Sequence, residues 1–453
     1  NYFTGVPAPA GAALAILPMV ISFEIGGDPT GVPRLHTNLL LDGADDGANL
    51  PAPSRLRLRT DVERRIVPLK IGATCCTLVT ETGRVFAWPE DGRFLSQRIG
   101  QAALYLDDGN IHELHGFAAE LAAATGLAPA ARSPEEIGRA LLREDLGDPV
   151  RAARYELARD DTAQTVLEQA LQVCVDQILG NMPAVRAGDP DGIKQMRIGL
   201  RWFRSVTRVF RKYLPLERIE ALRADAKTFG RVLGDCRDLD VFVEETLPAI
   251  VAAGLPGDAE ARALEALSAQ AETLRQARRR AAIRLVDGDG RFARFGVSLQ
   301  ALMIEAPWNA EEGLQKPAVK FARKALRKRL RKVSTTAATL AGAAPDARHP
   351  LRVELKKLRY AVHAFRPLWA KDDRKPYLAA MSRLQDAFGA LNDAVVAREM
   401  ALKVAASIDD GRDPRPVEAG AGYVIGWTTR GLIGQGDRVL DAWQDFSAMK
   451  PFW

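Results

Sequence analysis

The sequence predicts an α+β protein in two parts: an N-terminal antiparallel β barrel or sheet, then a larger all-α domain built as two related helical bundles. Three observations carry this. Between about residues 21 and 108, short β-prone runs alternate with Gly, Asp and Pro breakers. Beyond about Val150 the pattern turns almost wholly to long amphipathic stretches rich in Ala, Leu and Arg. Within those stretches, motifs recur at one fixed offset of 155 residues, the mark of a duplicated unit.

In chain order, the apolar run AGAALAILPMVISF (Ala10–Phe23) is too short to span a bilayer and has no basic flank before it, so neither a membrane span nor a signal peptide is expected. The segments SRLRLRT, RRIVPLKI, TCCTLVT, GRVFAW and AALYLDDG then read as short strands. IHELHGFAAELAAAT has apolar residues at helical spacing and should close the first domain, residues 1–150. Breaks such as RAGDPDG, YLPLE, AAGLPGD, VDGDG, AGAAPD and DDGRDPRP divide the second domain, residues 157–453, into helices.

The chain has 453 residues, 47% hydrophobic and 26% charged, an ordinary globular composition with material for sizeable cores. Its net charge of +6 hides an asymmetry. Residues 1–150 carry 13 Lys+Arg against 19 Asp+Glu, whereas residues 151–453 carry 50 against 38. A basic part of this size points to a polyanionic partner. The cysteines, Cys75, Cys76, Cys174 and Cys236, form no CxxC pair, which argues against a zinc site and a disulfide framework and for a reducing cytoplasm.

The basic charge is ordered. IKQMRIGLRWFRSVTRVFRK (Ile193–Lys212) holds seven cations and no acid, with Lys194, Arg197, Arg201, Arg204, Arg208 and Arg211 at steps of three and four. On a helix these fall within an arc about 100° wide, in a row roughly 25 Å long. Met196, Leu200, Phe203, Val206 and Phe210 occupy another, buried face. HPLRVELKKLRYAVHAFR repeats the stripe as His349, Arg352, Lys356, Arg359, His363 and Arg366, each 155 residues after its counterpart. FGRVLGDCRDLD and LQDAFGALNDAV align at the same offset, matching Asp238 to Asp393. VKFARKALRKRLRK adds Lys320, Lys324, Arg327 and Arg331 on one face, and LRQARRRAAIR is a less regular fourth basic helix. Like charges at i,i+4 repel, and an ordinary solvated face mixes in Glu, so these rows are expected to form a shared anion site. Trp202 is the only aromatic close to a stripe and lies off its face, which leaves little for base stacking. A polyphosphate chain or a phosphate-rich backbone fits such donors best.

At these residues the sequence resembles the CHAD domain, a conserved-histidine α-helical domain. KQMRIGLRWFR, LGDCRDLD, HPLRVELKKLRY and LQDAFGALNDA supply its motifs in order, and the C-terminal tail resembles its final helices, over about residues 157–453. The resemblance implies two four-helix bundles related by a pseudo-twofold axis, lining a basic cavity that binds inorganic polyphosphate without catalysis, metal or cofactor. Together, the rows and the resemblance give as expected ligand-binding residues Lys194, Arg197, Arg201, Arg204, Arg208, Lys320, Lys324, Arg327, Arg331, His349, Arg352, Lys356 and Arg359. Lys194 stands where the family has its first histidine, leaving His349 as the pH-sensitive member. Recruitment to polyphosphate or storage granules would follow.

FEIGGDPTGVPRL resembles the piece just after the first strand of a CYTH domain, a fold of triphosphate tunnel enzymes, and ELHGFAAELAAATGLAPAARSPEE its closing helix and loop, over residues 18–146. The E-x-E-x-K strand of that family holds a divalent metal. Pro18, Val20 and Ser22 stand at those positions, Ala103 and Tyr105 where a later acid pair is expected, while basic residues persist at Arg55, Arg57, Arg59 and Lys70. The module therefore reads as catalytically inactive. Two other readings stay open at this level: an active triphosphatase whose basic helices collect substrate, and a helical nucleic-acid binder. HELH (His112–His115) has i,i+3 spacing rather than a zinc-protease i,i+4 and reads as surface helix; Asp238 and Asp393 read as partners of a neighbouring Arg or as helix caps.

Overall fold

A computed structural model describes residues 19–22, 34–41, 56–130, 132–254, 257–288, 290–338, 349–408 and 411–453. Pro18, Arg55 and most of the stretch FEIGGDPTGVPRL lie outside the described residues. The chain divides into two compact units: residues 1–146 with Gly296–Glu305, and residues 147–295 with 306–453.

The first unit is an antiparallel sheet with two helices. Its strands are β1 (Met19–Ser22), β2 (Arg34–Leu41), β3 (Leu56–Ile71), β4 (Thr74–Ala87), β5 (Leu95–Asp108) and β6 (Ala128–Pro129), in the order β2-β3-β4-β5-β1-β6. Among the described residues no ladder joins β2 to β6, so the sheet stays open. β3 and β4 meet in a tight hairpin with Ile71 opposite Thr74, and Gly72 takes the left-handed conformation this turn needs, at φ +59°. Helix α1 (Ile111–Thr125) is capped by Asn110, whose side chain accepts from the His112 N–H. Helix α2 (Pro134–Arg143) starts with a Ser133–Glu136 capping box and Pro134. Its Ile137, Leu141 and Leu142 pack on Leu58, Val85 and Ala87 of the sheet. His115 is buried rather than on the surface as expected, and it and His112 both reach the Glu305 carboxylate.

The second unit is helical. Its helices are α3 (Ala163–Leu179), α4 (Met182–Arg186), α5 (Pro190–Val209), α6 (Leu216–Val241), α7 (Leu247–Ala252), α8 (Asp258–Asp287) and the start of α9 (Gly290–Glu305). There follow α10 (Ala318–Ala338), α11 (His349–Phe365), α12 (Lys371–Ala405), α13 (Arg415–Gly431) and α14 (Gln435–Ala448). Among the described residues no helix is long and apolar enough to cross a membrane.

α5 begins at Asp189, which caps the Gly192 N–H, with Pro190 in the first turn. Met196, Leu200, Phe203, Val206 and Phe210 are all buried, as their spacing predicts. α5 lies close on α3 because Gly199 permits it: a Cβ there would come within 2.9 Å of Ile178 Cγ1. Phe210 stacks on Phe321 of α10 (5.0 Å) and leans on Phe365 of α11 (5.8 Å), tying three basic helices at one end. A second core joins α6, α7, α8, α12 and α13 through Leu239, Ile250, Leu267, Val404 and Val424.

Candidate functional site

The two stripes meet. α5 and α11 lie alongside each other, and their cations, with others from α6 and α10, line a cavity of about 220 Å³. Arg201, Arg204 and Arg208 come from α5, Lys356 and Lys357 from α11, Arg329 from α10 and Arg223 from α6. Tyr360 lies at its edge between the Arg201 and Arg359 guanidinium groups, 5.9 and 5.7 Å from its ring centre. Lys357 is paired with Glu354 at 2.5 Å and Arg223 with Glu220 at 3.4 Å. Among the described residues Arg201, Arg204, Arg208, Arg329 and Lys356 make no ion pair; Glu354 acts on Arg329 and Asp393 on Lys356 through space alone.

This crowding is visible in the electrostatics. Burial, and after it Arg201, Arg352, Arg197 and Arg359, push the Lys356 ammonium down to a pKa of about 7. Burial first, then Arg201 and Arg208 of the same helix, lowers the pKa of Arg204; burial and then Arg208 lower that of Arg329, against an opposing pull from Glu354. Arginine stays charged regardless, so the groove is a fixed cluster of guanidinium groups around one amine that titrates near neutrality. Arg201 and Lys356 are counterparts in the 155-residue repeat, as are Phe210 and Phe365, and in each pair the two members face one another.

The remaining expected site residues are placed as follows. Arg197 and Arg352 flank the groove, half-buried; Arg197 stands 3.9 Å from Asp238, and Arg352 is beside Asp393 and donates to Asn392. Asp238 thus reaches the arginine of its own repeat, whereas Asp393 feels Arg352 only through its charge, and burial raises both carboxyl pKa values. Arg359 is exposed and donates to Gln385 at 2.6 Å. Lys194 pairs with Asp191 at 3.3 Å and does not line the cavity. His349 opens α11, and its side chain lies outside the described residues. Lys320, Lys324, Arg327 and Arg331 line a separate open trough along α10.

His363, read as a member of the second stripe, is half-buried, edge-on against Trp202 at 5.0 Å between ring centres. Burial and then Arg366 and Arg359 hold its pKa near 4, so it adds no charge at neutrality. Trp202 is itself buried and stacked on Tyr155, out of reach of any ligand. The fourth basic helix is partly structural, because Arg275 and Arg279 of α8 both bond the fully buried Asp240 of α6 at 2.9 Å.

Sequence reasoning missed Arg223, Arg329 and Tyr360. Arg223 lies in the mixed-charge run EALRADAK and gives no signal. Arg329 sits in RKRLRK, where the more regular outward row draws the eye from the single cation on the inner face. Among the described residues no cluster of three or more His, Cys, Asp or Glu could hold a metal ion.

Three comparisons bear on this site. The family model described as CHAD domain matches residues 169–402. Among solved structures, the crystal structure of the CHAD domain from the plant Ricinus communis is 26% identical, covering 67% of this chain and 97% of that one, with a TM-score of 0.56. PptA from Streptomyces chartreusis is 16% identical, covering 63% of this chain and 100% of that one, with a TM-score of 0.48. No curated protein matches.

Proposed function

The chain belongs to the CHAD domain family, whose model matches more than half of its length, and we propose that it binds inorganic polyphosphate in the groove between α5 and α11, without turning it over. The observation that carries this reading is the convergence of Arg201, Arg204, Arg208, Arg329 and Lys356 on one cavity where, among the described residues, none of them is in an ion pair. A ligand that answers such a set must bring many negative oxygens and need no acceptor groups from the protein. At about 220 Å³, lined chiefly by Arg and Lys, the cavity is smaller and more basic than an ordinary small-molecule pocket. Tyr360 is its only aromatic lining and is occupied by two guanidinium groups, which disfavours base stacking.

The facing of Arg201 on Lys356 and of Phe210 on Phe365 supports two four-helix bundles related by a pseudo-twofold axis that passes near these pairs. We assign the N-terminal unit to an inactive CYTH-like module. Val20 and Ala103, at two of the positions where that family has acids, are cross-strand partners in β1 and β5. Glu81 and Glu136, which line one cavity with Ala103, are committed: Glu81 to Arg64 and Gln101, and Glu136 to the α2 capping box. The four unpaired cysteines agree with a cytoplasmic protein. Association with polyphosphate granules is the cellular role this binding would serve.

The test is a competition. Purified protein bound to labelled long-chain polyphosphate should release it to unlabelled polyphosphate but poorly to single-stranded DNA at equal phosphate concentration. It should also leave tripolyphosphate and ATP intact with Mg²⁺ or Mn²⁺. Equal displacement by DNA would favour a nucleic-acid binder, and metal-dependent turnover lost on mutating the N-terminal unit would favour a triphosphatase.

A further inference from the structure

We propose that the outward face of α10 is a second polyphosphate subsite, so that one long chain engages the groove and α10 together while a short one engages the groove alone. The inference rests on the groove reading above and adds to it a basis for chain-length selection.

Lys320, Arg323, Lys324, Arg327, Lys328 and Arg331 are all exposed and line one open trough. None of the six is in an ion pair among the described residues. At 100° per residue, Lys320, Lys324, Arg327 and Arg331 centre about 180° around the helix from Arg329, which faces the groove. α10 therefore offers cations to two opposite sides. Its outer row runs for about 16 Å, and only the helix's own width of about 10–12 Å separates it from the inner side.

The row is particular to this copy of the repeat. α3 and α10 start 155 residues apart, at Ala163 and Ala318. Where α10 carries its six cations, α3 carries Thr165, Glu168, Gln169, Gln172, Val173 and Asp176. Six positive charges thus replace two negative ones on equivalent positions. Helix formation and packing do not ask for this, because α10 buries Ala318, Ala322, Leu326 and Val333 on its other side. Side-by-side cations without acids cost some tenths of a kcal/mol per i,i+4 pair, and a bound anion relieves that repulsion.

The occupant is a phosphate chain. The face offers flexible cationic tips, with no aromatic among its described lining residues to stack a base and only Pro317 as an exposed apolar residue, too little to enter a bilayer. A uniform polyanion already held in the groove needs only to pass over α10 to reach it. The second contact is then intramolecular, and such linkage raises affinity by about 10²–10⁴ when the chain is long enough to span both sites.

The experiment compares the full chain with the variant Lys320→Gln/Lys324→Gln/Arg327→Gln/Arg331→Gln, with tripolyphosphate and long-chain polyphosphate as probes at several salt concentrations. The substitutions are on exposed positions, and circular dichroism with thermal denaturation checks that the variant is folded. Expected is an unchanged affinity for tripolyphosphate, a loss of about tenfold or more for the long chain, and a log–log salt slope for the long chain lower by up to about 3. Unchanged long-chain affinity and slope would overturn the subsite, as would an equal loss for both probes in the folded variant. Loss of single-stranded DNA binding with long-chain polyphosphate binding intact would overturn it in favour of a nucleic-acid face. If the parent bound neither phosphate probe, the groove reading itself would fall.

Discussion

Lys356 is held near a pKa of about 7 by burial and four guanidinium neighbours, well below the ordinary 10.5. Phosphate oxygens in the groove favour its ammonium form, so a ligand bound above pH 7 must bring a proton with it. The sign follows. Below about pH 7 Lys356 is already charged and affinity is insensitive to it. As pH rises above 7 affinity falls, by at most tenfold per pH unit for one linked proton, until the raised pKa of the complex is passed. Titration calorimetry in buffers of different ionisation enthalpy should record uptake of a fraction of a proton at pH 8. Lys356→Arg should abolish both the uptake and the pH slope; a slope that survives in that variant would assign it to another group. Charge reversal at Arg197 or Arg352 looks harmless from the sequence because neither is on the apolar face, yet Arg197 stands 3.9 Å from the half-buried Asp238, and Arg352 lies beside Asp393 and donates to Asn392. Arg197→Gln or Arg352→Gln should therefore cost about 1–2 kcal/mol in chemical denaturation, whereas Arg201→Gln, which leaves no carboxylate stranded, should stay within about 0.5 kcal/mol of the parent. Equal stability of the three variants would show that Asp238 and Asp393 do not depend on their arginines. The helical period could reveal which residues share a stripe; it could not reveal that Lys194 bends back to Asp191 or that His363 turns under Trp202, since those depend on neighbours remote in the chain or on local rotamers.

Helices α5, α10 and α11 were legible because each combines an apolar row with a cationic one at steps of three and four. Their mutual placement was less so. The sequence supplies the rows but not the angle at which α10 turns Arg329 inward and its regular stripe outward; that is set by Ala318, Ala322 and Leu326 packing beneath it. Arg223 illustrates the same limit. It reaches the groove from α6 while donating to Thr207 Oγ1 at 2.8 Å, a contact with no periodic signature. Outside the groove, Asp240 fastens α6 to α8 through Arg275 and Arg279 with none of its own surface exposed. Asp240→Asn leaves two partly buried guanidinium groups without their shared carboxylate and should destabilise the helical unit by about 3 kcal/mol, read as a lower denaturant midpoint with an unchanged m-value. A loss under 1 kcal/mol would mean that Glu244 and Glu272 hold Arg275 unaided.

At the scale of the whole chain, the 155-residue offset was the most informative property of the sequence. It brought together pairs such as Arg201 with Lys356 and Phe210 with Phe365, residues that no local pattern connects. The antiparallel N-terminal sheet was readable from breaker spacing, but not its order β2-β3-β4-β5-β1-β6, because the placement of β1 between β5 and β6 is a long-range pairing. The central claim is that the cations converging on the α5–α11 groove hold a phosphate chain, and counterion release measures that directly. Long-chain polyphosphate should be titrated into the parent and into Arg201→Gln/Arg204→Gln/Arg208→Gln across a range of salt concentrations. Each phosphate contact contributes roughly 0.7–0.9 to the log–log slope, so the folded triple variant should show a slope shallower by about 2–3 and lose most of its affinity. A folded triple variant that bound the chain as tightly as the parent, with the same slope, would contradict the account.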